Sequence, residues 1–144
     1  MGRVGLPDFK PRLTAAQRRL KEQIVQQFRE KSFTPPDAGD LKGIAGANAA
    51  HLKEILDVCE AEGWIVPFAE GMWLHSSREQ EMRKLVADKL AEMAPQSKGL
   101  LVADIRTLLG TSRKYAVPLC EYLDRVGVTR RDGDIRWLAN PTRN

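Results

Sequence analysis

The chain has 144 residues and a mass of 16.2 kDa, the size of one ordinary domain or two very small ones. Apolar residues make up 42% and charged residues 29%, and 23 Lys and Arg against 19 Asp and Glu leave +4 and a pI near 9.3. That excludes a disordered chain and favours a polyanionic partner only through where the charge is placed. No apolar run approaches the ~18 residues of a membrane helix, Gly2-Arg3-Val4-Gly5 opens no signal peptide, and Cys59 and Cys120 both fall inside apolar patterns. Secreted, membrane and collagen-like classes are thereby set aside, and a reducing cytoplasm is expected.

Residues 1–12 are rich in glycine and proline and read as a connector or frayed end. Thr14 then caps a first helix with Leu20, Ile24, Val25 and Phe28 at helical spacing. An extended piece at Phe33-Thr34 leads to a short helix from Leu41 to Ala45, stopped by Gly46 as a left-handed cap. Asn48 restarts the chain as the N-cap of a third helix ending at Gly63. Two strands follow, Trp64 to Pro67 and Met72 to Leu74, around Glu70-Gly71.

The same order then recurs. A helix begins near Ser76 or Ser77 and carries Met82, Leu85, Val86, Leu90 and Met93. After a loop at Pro95-Gln96-Ser97-Lys98-Gly99 comes an extended Leu100-Leu101, and a helix from Ala103 to Leu109 stopped by Gly110. Ser112 caps the next helix, whose apolar Ala116, Leu119, Leu123 and Val126 lie within a narrow arc, and which ends at Gly127. Val128 to Arg131, the turn Asp132-Gly133-Asp134, and Ile135 to Leu138 form a hairpin, since Asp-Gly between short strands is its strongest local signal.

Residues 40–74 lie over 104–138 without a gap, matching Asp40 to Asp104, Gly46 to Gly110, Gly63 to Gly127, Trp73 to Trp137 and Leu74 to Leu138. The reading is a mainly α chain with small β-hairpin wings: two tandem winged helix-turn-helix domains, 13–75 and 76–144, after the connector.

The repeat acts as an internal control on charge. Residues 40–74 hold 2 Lys against 6 acids, whereas 104–138 hold 7 Lys and Arg against 5. Ala49, Ala50 and His51 become Arg113, Lys114 and Tyr115; Ala61 becomes Arg125; Val66 and Pro67 become Arg130 and Arg131; Met72 becomes Arg136. Two cations in the first turn of a helix oppose its dipole, and a phosphate there relieves this. Lys114, Pro118, Glu121 and Arg125 share the side away from the core, with Tyr115 and Tyr122 at its border and Tyr115 placed to stack on a base. His51, His75 and the two cysteines show no metal spacing, no phosphate-cradling Gly-x4-Gly-Lys loop is present, and no nucleophile and base assemble; no metal, no cofactor and no enzymatic activity are expected of these residues. A DNA-binding winged-helix regulator, or a protein-binding module using the Trp-rich first wing, are the rival readings.

Ser112-Arg113-Lys114-Tyr115, Glu121-Tyr122-Leu123-Asp124-Arg125 and Thr129-Arg130-Arg131-Asp132-Gly133-Asp134 together resemble the C-terminal winged helix of bacterial selenocysteine-specific elongation factors, the SelB family. The first copy is similar to that family's preceding winged helix in layout only. The resemblance implies a fragment: translation-GTPase domains that bind GTP and Mg and carry selenocysteinyl-tRNA to the ribosome, then a series of winged helices of which these are the last two. It implies that the final one, working as a monomer, grips the selenocysteine insertion (SECIS) hairpin of an mRNA through Ser112, Arg113, Lys114, Tyr115, Arg130, Arg131 and Arg136, with Arg125 beside them. The first copy, being acidic, is then a spacer. Cys120 and Trp137 depart from the aliphatic residues usual in the family, and both keep apolar character.

Overall fold

A computed structural model describes residues 13–93 and 99–139. The expected connector at 1–12 and the loop residues 95–98 lie outside them. Helix α1 (Ala15–Glu30) opens on a reciprocal cap: Thr14 Oγ1 accepts from the Gln17 N–H at 3.0 Å, and Gln17 Oε1 accepts from the Thr14 N–H at 2.9 Å. Leu20, Ile24 and Phe28, four residues apart, form its buried stripe. The expected extended piece at Phe33-Thr34 is instead a turn. Ser32 takes a left-handed φ of 54° and the Thr34 N–H bonds back to the Lys31 carbonyl at 3.0 Å, which closes the chain on itself.

Helix α2 (Ala38–Ala45) starts before Leu41 because Asp37 and Asp40 cap it reciprocally. Gly46 has the expected positive φ of 52°, but its ψ of −119° is not left-handed helical. Asn48 caps nothing. It sits inside a 3-10 turn, Gly46–His51, at φ −97° and ψ 15°, whereas a cap needs extended backbone, and α3 (Leu52–Ala61) follows that turn directly. The second copy matches expectation more closely. Gly110 is left-handed at φ 68° and ψ 35°, Ser112 is extended at the N-cap position, and α6 (Arg113–Arg125) follows α5 (Val102–Leu109). The Ser112 side chain makes no capping bond.

The wings are β1 (Ile65–Ala69) with β2 (Met72–His75), and β3 (Thr129–Asp132) with β4 (Ile135–Leu138), both antiparallel. In the second wing Asp132 pairs with Ile135, so the turn is Gly133-Asp134, one residue tighter than expected, with Gly133 at φ 64°. The first wing carries a bulge between Pro67 and Ala69, which slips its register by one. Trp73 therefore stands opposite Pro67 as Arg136 stands opposite Arg131, and the gapless match of Trp73 to Trp137 is not a structural one. The interactions agree: Trp73 Nε1 donates to Glu60 Oε1 at 3.0 Å, and Arg136 Nη2 to Asp124 Oδ2 at 2.9 Å, the same point on the third helix of each copy.

Leu100 extends the second wing by a bridge to Arg136, with N–H···O bonds of 2.9 and 2.8 Å in the two directions. Gly99 permits that approach. A β-carbon there would sit 2.3 Å from Ile135 Cγ2 and 2.7 Å from the Arg136 carbonyl, at a φ of 69°. Gly99→Ala is expected to cost about 2 kcal/mol, from overpacking and backbone strain together. Urea unfolding checks this; wild-type stability would contradict it.

Two cores result, and they are not independent. Leu20, Ile24, Phe28, Leu41, Ile55, Cys59 and Ile65 fill the first. The second gathers Met82, Val86, Leu90, Ile105, Leu119 and Leu123, and also takes Phe33, Phe68 and Leu74 from the first copy. Strand β2 runs into α4 (Ser76–Met93) with no linker. At this joint the buried His75 Nδ1 accepts from the Ser77 backbone N–H at 3.1 Å, holding the first turn of α4. Burial, and then the charges of Arg29 and Arg78, hold the His75 pKa below its ordinary value. The folded state thus favours neutral imidazole, and stability present above the unfolded pKa of about 6.5 is lost as pH falls through the lower folded value. The melting temperature is expected to fall as pH drops below the unfolded pKa of about 6.5. His75→Gln, which keeps an acceptor, removes that part of the drop; an unchanged pH profile would contradict the assignment.

Candidate nucleic-acid interface

Helix α6 has three faces. Ala116, Leu119, Cys120 and Leu123 turn into the second core. A second face meets the first copy. Tyr115 is buried and its hydroxyl donates to the Pro35 carbonyl at 3.1 Å; Arg125 Nη2 donates to the Phe68 carbonyl at 2.9 Å; Lys114 Nζ lies 3.5 Å from Asp37 Oδ2. Thr34 and Thr111 share a hydroxyl hydrogen bond of 2.9 Å beside them. The hydrogen bond from the Asp40 N–H, and then Lys114, hold the Asp37 carboxyl below the usual carboxylate range. The expected free side carrying Lys114 and Arg125 is therefore where the two copies meet, and Tyr115 offers no exposed ring for stacking. A helix in a tandem array has two neighbours to satisfy, and its own periodicity reveals only one of them.

The third face carries Arg113, Val117 and Glu121, spaced by four residues. It forms one wall of an open cleft of about 370 Å³. Leu101, Val102 and Ala103 from the start of α5 form a second wall, and Arg131, Asp134 and Arg136 from the wing close it. Leu101 is 45% exposed, an apolar side chain open to solvent at the cleft. Arg131 is steered along the turn by its Nε bond to the Gly133 carbonyl at 2.7 Å. Arg113 and Arg130 have no hydrogen-bond or ion-pair partner among the described residues.

Arg136, expected as a contact, is only 3% exposed. It is paired with Asp124, whose other oxygen takes the Thr129 hydroxyl at 2.6 Å. Burial works against its charge, but the hydrogen bonds and attraction of Asp124 outweigh this and raise its pKa. Of the expected site residues, Ser112, Arg113, Arg130 and Arg131 are thus open to solvent, and Lys114 is exposed but paired. Leu101, Val117 and Asp134 were not singled out in the sequence. The four-residue spacing of Arg113, Val117 and Glu121 carried the signal for one wall, but Leu101 joins the cleft only through its bridge-bearing neighbour.

Residues 93–138 match the family model described as "Elongation factor SelB, winged helix". The chain is 26% identical over 139 residues, 96% of its length, to a selenocysteine-specific elongation factor of Escherichia coli strain K12. It is 25% identical over 136 residues, 92% of its length, to the factor of Desulfomicrobium baculatum. It spans only 22% and 20% of these relatives. Its fold matches the mRNA-binding domain of elongation factor SelB from E. coli, solved in complex with SECIS RNA, with a TM-score of 0.68 and 24% identity over 88% of this chain and 99% of that one. It also matches a bacterial selenocysteine-specific elongation factor, EF-Sec, with a TM-score of 0.54 and 23% identity over 87% of this chain and 18% of that one. In sequence and fold, the chain is thus similar to the winged-helix region of SelB elongation factors, most specifically over residues 93–138.

Proposed function

We propose that the chain binds an RNA hairpin of the SECIS type through the cleft of its second winged helix, as part of a selenocysteine-specific translation factor. The observation that carries the reading is Arg113, whose guanidinium has no partner among the described residues, beside Arg131 at an open cleft, with Arg130 exposed on the other face of the wing. The first copy has Ala49, Val66 and Pro67 at the matching positions. An SECIS RNA bound to the E. coli domain of like fold supports it.

A-form RNA hides its base edges in a deep major groove, so an RNA reader takes phosphates on the outside and bases from loops. Arg113 at the start of α6 and Arg131 on the wing suit the phosphates. Leu101 and Val117 give an apolar floor for an extruded base, and Glu121 and Asp134 give acceptors for its amino or imino groups. Ser112 stands at the mouth and Lys114 reaches it while pairing Asp37. Tyr115, Arg125 and Arg136 support the site by fixing α6 and the wing. GTP hydrolysis with Mg, selenocysteinyl-tRNA delivery and the ribosome are work for other domains of a longer cytoplasmic factor.

The test is competition binding, using hairpins selected from a randomised-loop RNA pool against duplex DNA of the stem sequence, at about 50 and 200 mM salt. RNA is expected to win at both. Preference for the duplex would instead support the DNA-binding reading, and no selected hairpin at all would end the proposal.

A further inference from the structure

The two wings put their outer faces to different uses. In the first wing, Val66 stands directly opposite Leu74, and Ala69 opposite Met72. These four residues, with Phe68, pack into the core of the second copy. The outer face of this wing is thus the surface on which the next element of the array docks. By strand register the equivalent pairs in the second wing are Arg130 opposite Trp137 and Asp132 opposite Ile135. Here this face takes no part in either core: Arg130 is exposed and has no partner among the described residues, and Trp137 and Ile135 are half-buried. Gly99 lies beneath, where a β-carbon would come within 3.3 Å of the Trp137 ring.

Alternation along β3 sends Arg131 into the cleft and Arg130 to the opposite face. A flat indole beside an uncompensated guanidinium suits an unpaired nucleotide, with the base on the ring and its phosphate on the cation. Burying the same face against protein would strand the Arg130 charge, which the apolar Val66 of the first wing avoids.

We propose that the outer face of the second wing is a second RNA contact, with Trp137 stacking on an unpaired nucleotide of the hairpin held in the cleft and Arg130 neutralising its phosphate. This rests on the RNA-binding reading above. It makes the wing a blade gripped from both sides, Arg131 on one and Trp137 with Arg130 on the other.

The experiment labels the whole chain with 5-fluorotryptophan and follows its three fluorine resonances, assigned by single Trp→Phe variants, during titration with the selected hairpin. The Trp137 signal is expected to shift while those of Trp64 and Trp73 hold. In parallel, Trp137→Leu, checked for an unchanged melting temperature, is expected to weaken the hairpin about 5- to 100-fold without changing the salt slope. Should that variant unfold, the fluorine shift alone decides. Tight hairpin binding with an unmoved Trp137 signal would overturn the second contact and leave the cleft reading standing; absence of hairpin binding would overturn both.

Discussion

Arg136→Ala is expected to unfold the second winged helix well before it affects any ligand. The guanidinium is buried and donates to both oxygens of Asp124, one of which also accepts the Thr129 hydroxyl. Removing the cation leaves a partly buried carboxylate whose main partner is gone, and breaking such a pair costs about 3–4 kcal/mol, near the lower end of the range for buried pairs because Asp124 keeps some solvent. For a chain of this size that is about 10 °C in melting temperature. The equivalent place in the first wing supports the structural reading, because Trp73 returns to Glu60 there and carries no charge at all. Calorimetry of Arg136→Ala checks it. A variant that melts like wild type but loses hairpin affinity would move Arg136 from scaffold to RNA contact.

The second large effect falls on binding alone. Arg113, Arg130 and Arg131 are exposed, so replacing all three by Ala should leave the melting temperature within a degree or two of wild type, as surface changes usually do. If each neutralises one phosphate, the slope of log K against log salt becomes shallower by about 0.7–0.9 per residue, roughly 2–3 units in all. Affinity at low salt should fall by about 100- to 1,000-fold, since each charge-assisted contact contributes about 1–1.5 kcal/mol. Equal losses on unrelated hairpins would mark these as positioning contacts, and an unchanged slope would remove them from the interface. The contrast with Arg136 is direct: five wing and helix arginines look alike in the sequence, yet Arg136 holds the fold, Arg125 ties α6 to the first copy, and three face solvent.

That contrast also shows what a linear sequence reveals. The two copies, their helix order and both hairpins follow from local signals: Thr14 before a four-residue apolar stripe, paired glycines after helices, Asp-Gly between strands. Errors arose where a local signal met a tertiary one. Asn48 is a good cap by composition, but Gly46 turns the chain into a 3-10 segment, so no extended backbone is available to it. The bulge at Pro67 shifts the first wing by one residue, which composition does not encode. By periodicity Arg125 lies on the polar side of α6 and Tyr115 at its border, yet they are claimed by Phe68 and Pro35 of the other copy, 57 and 80 positions away. The charge difference between copies points to the same helix start and wing that line the cleft, since charge survives on a surface wherever neighbouring elements leave it open. It could not sort buried Arg136 from exposed Arg131, because the two stand opposite each other on one face of the hairpin and only the approach of Asp124 on α6 separates them.

The most direct test of the cleft as the RNA site is an amide chemical-shift titration of the isotope-labelled chain with the selected hairpin. Shifts are expected to concentrate at 99–103, 112–121 and 129–137, the start of α5, the open face of α6 and the wing. Shifts concentrated instead on α1 to α3, with the second wing silent, would contradict the account.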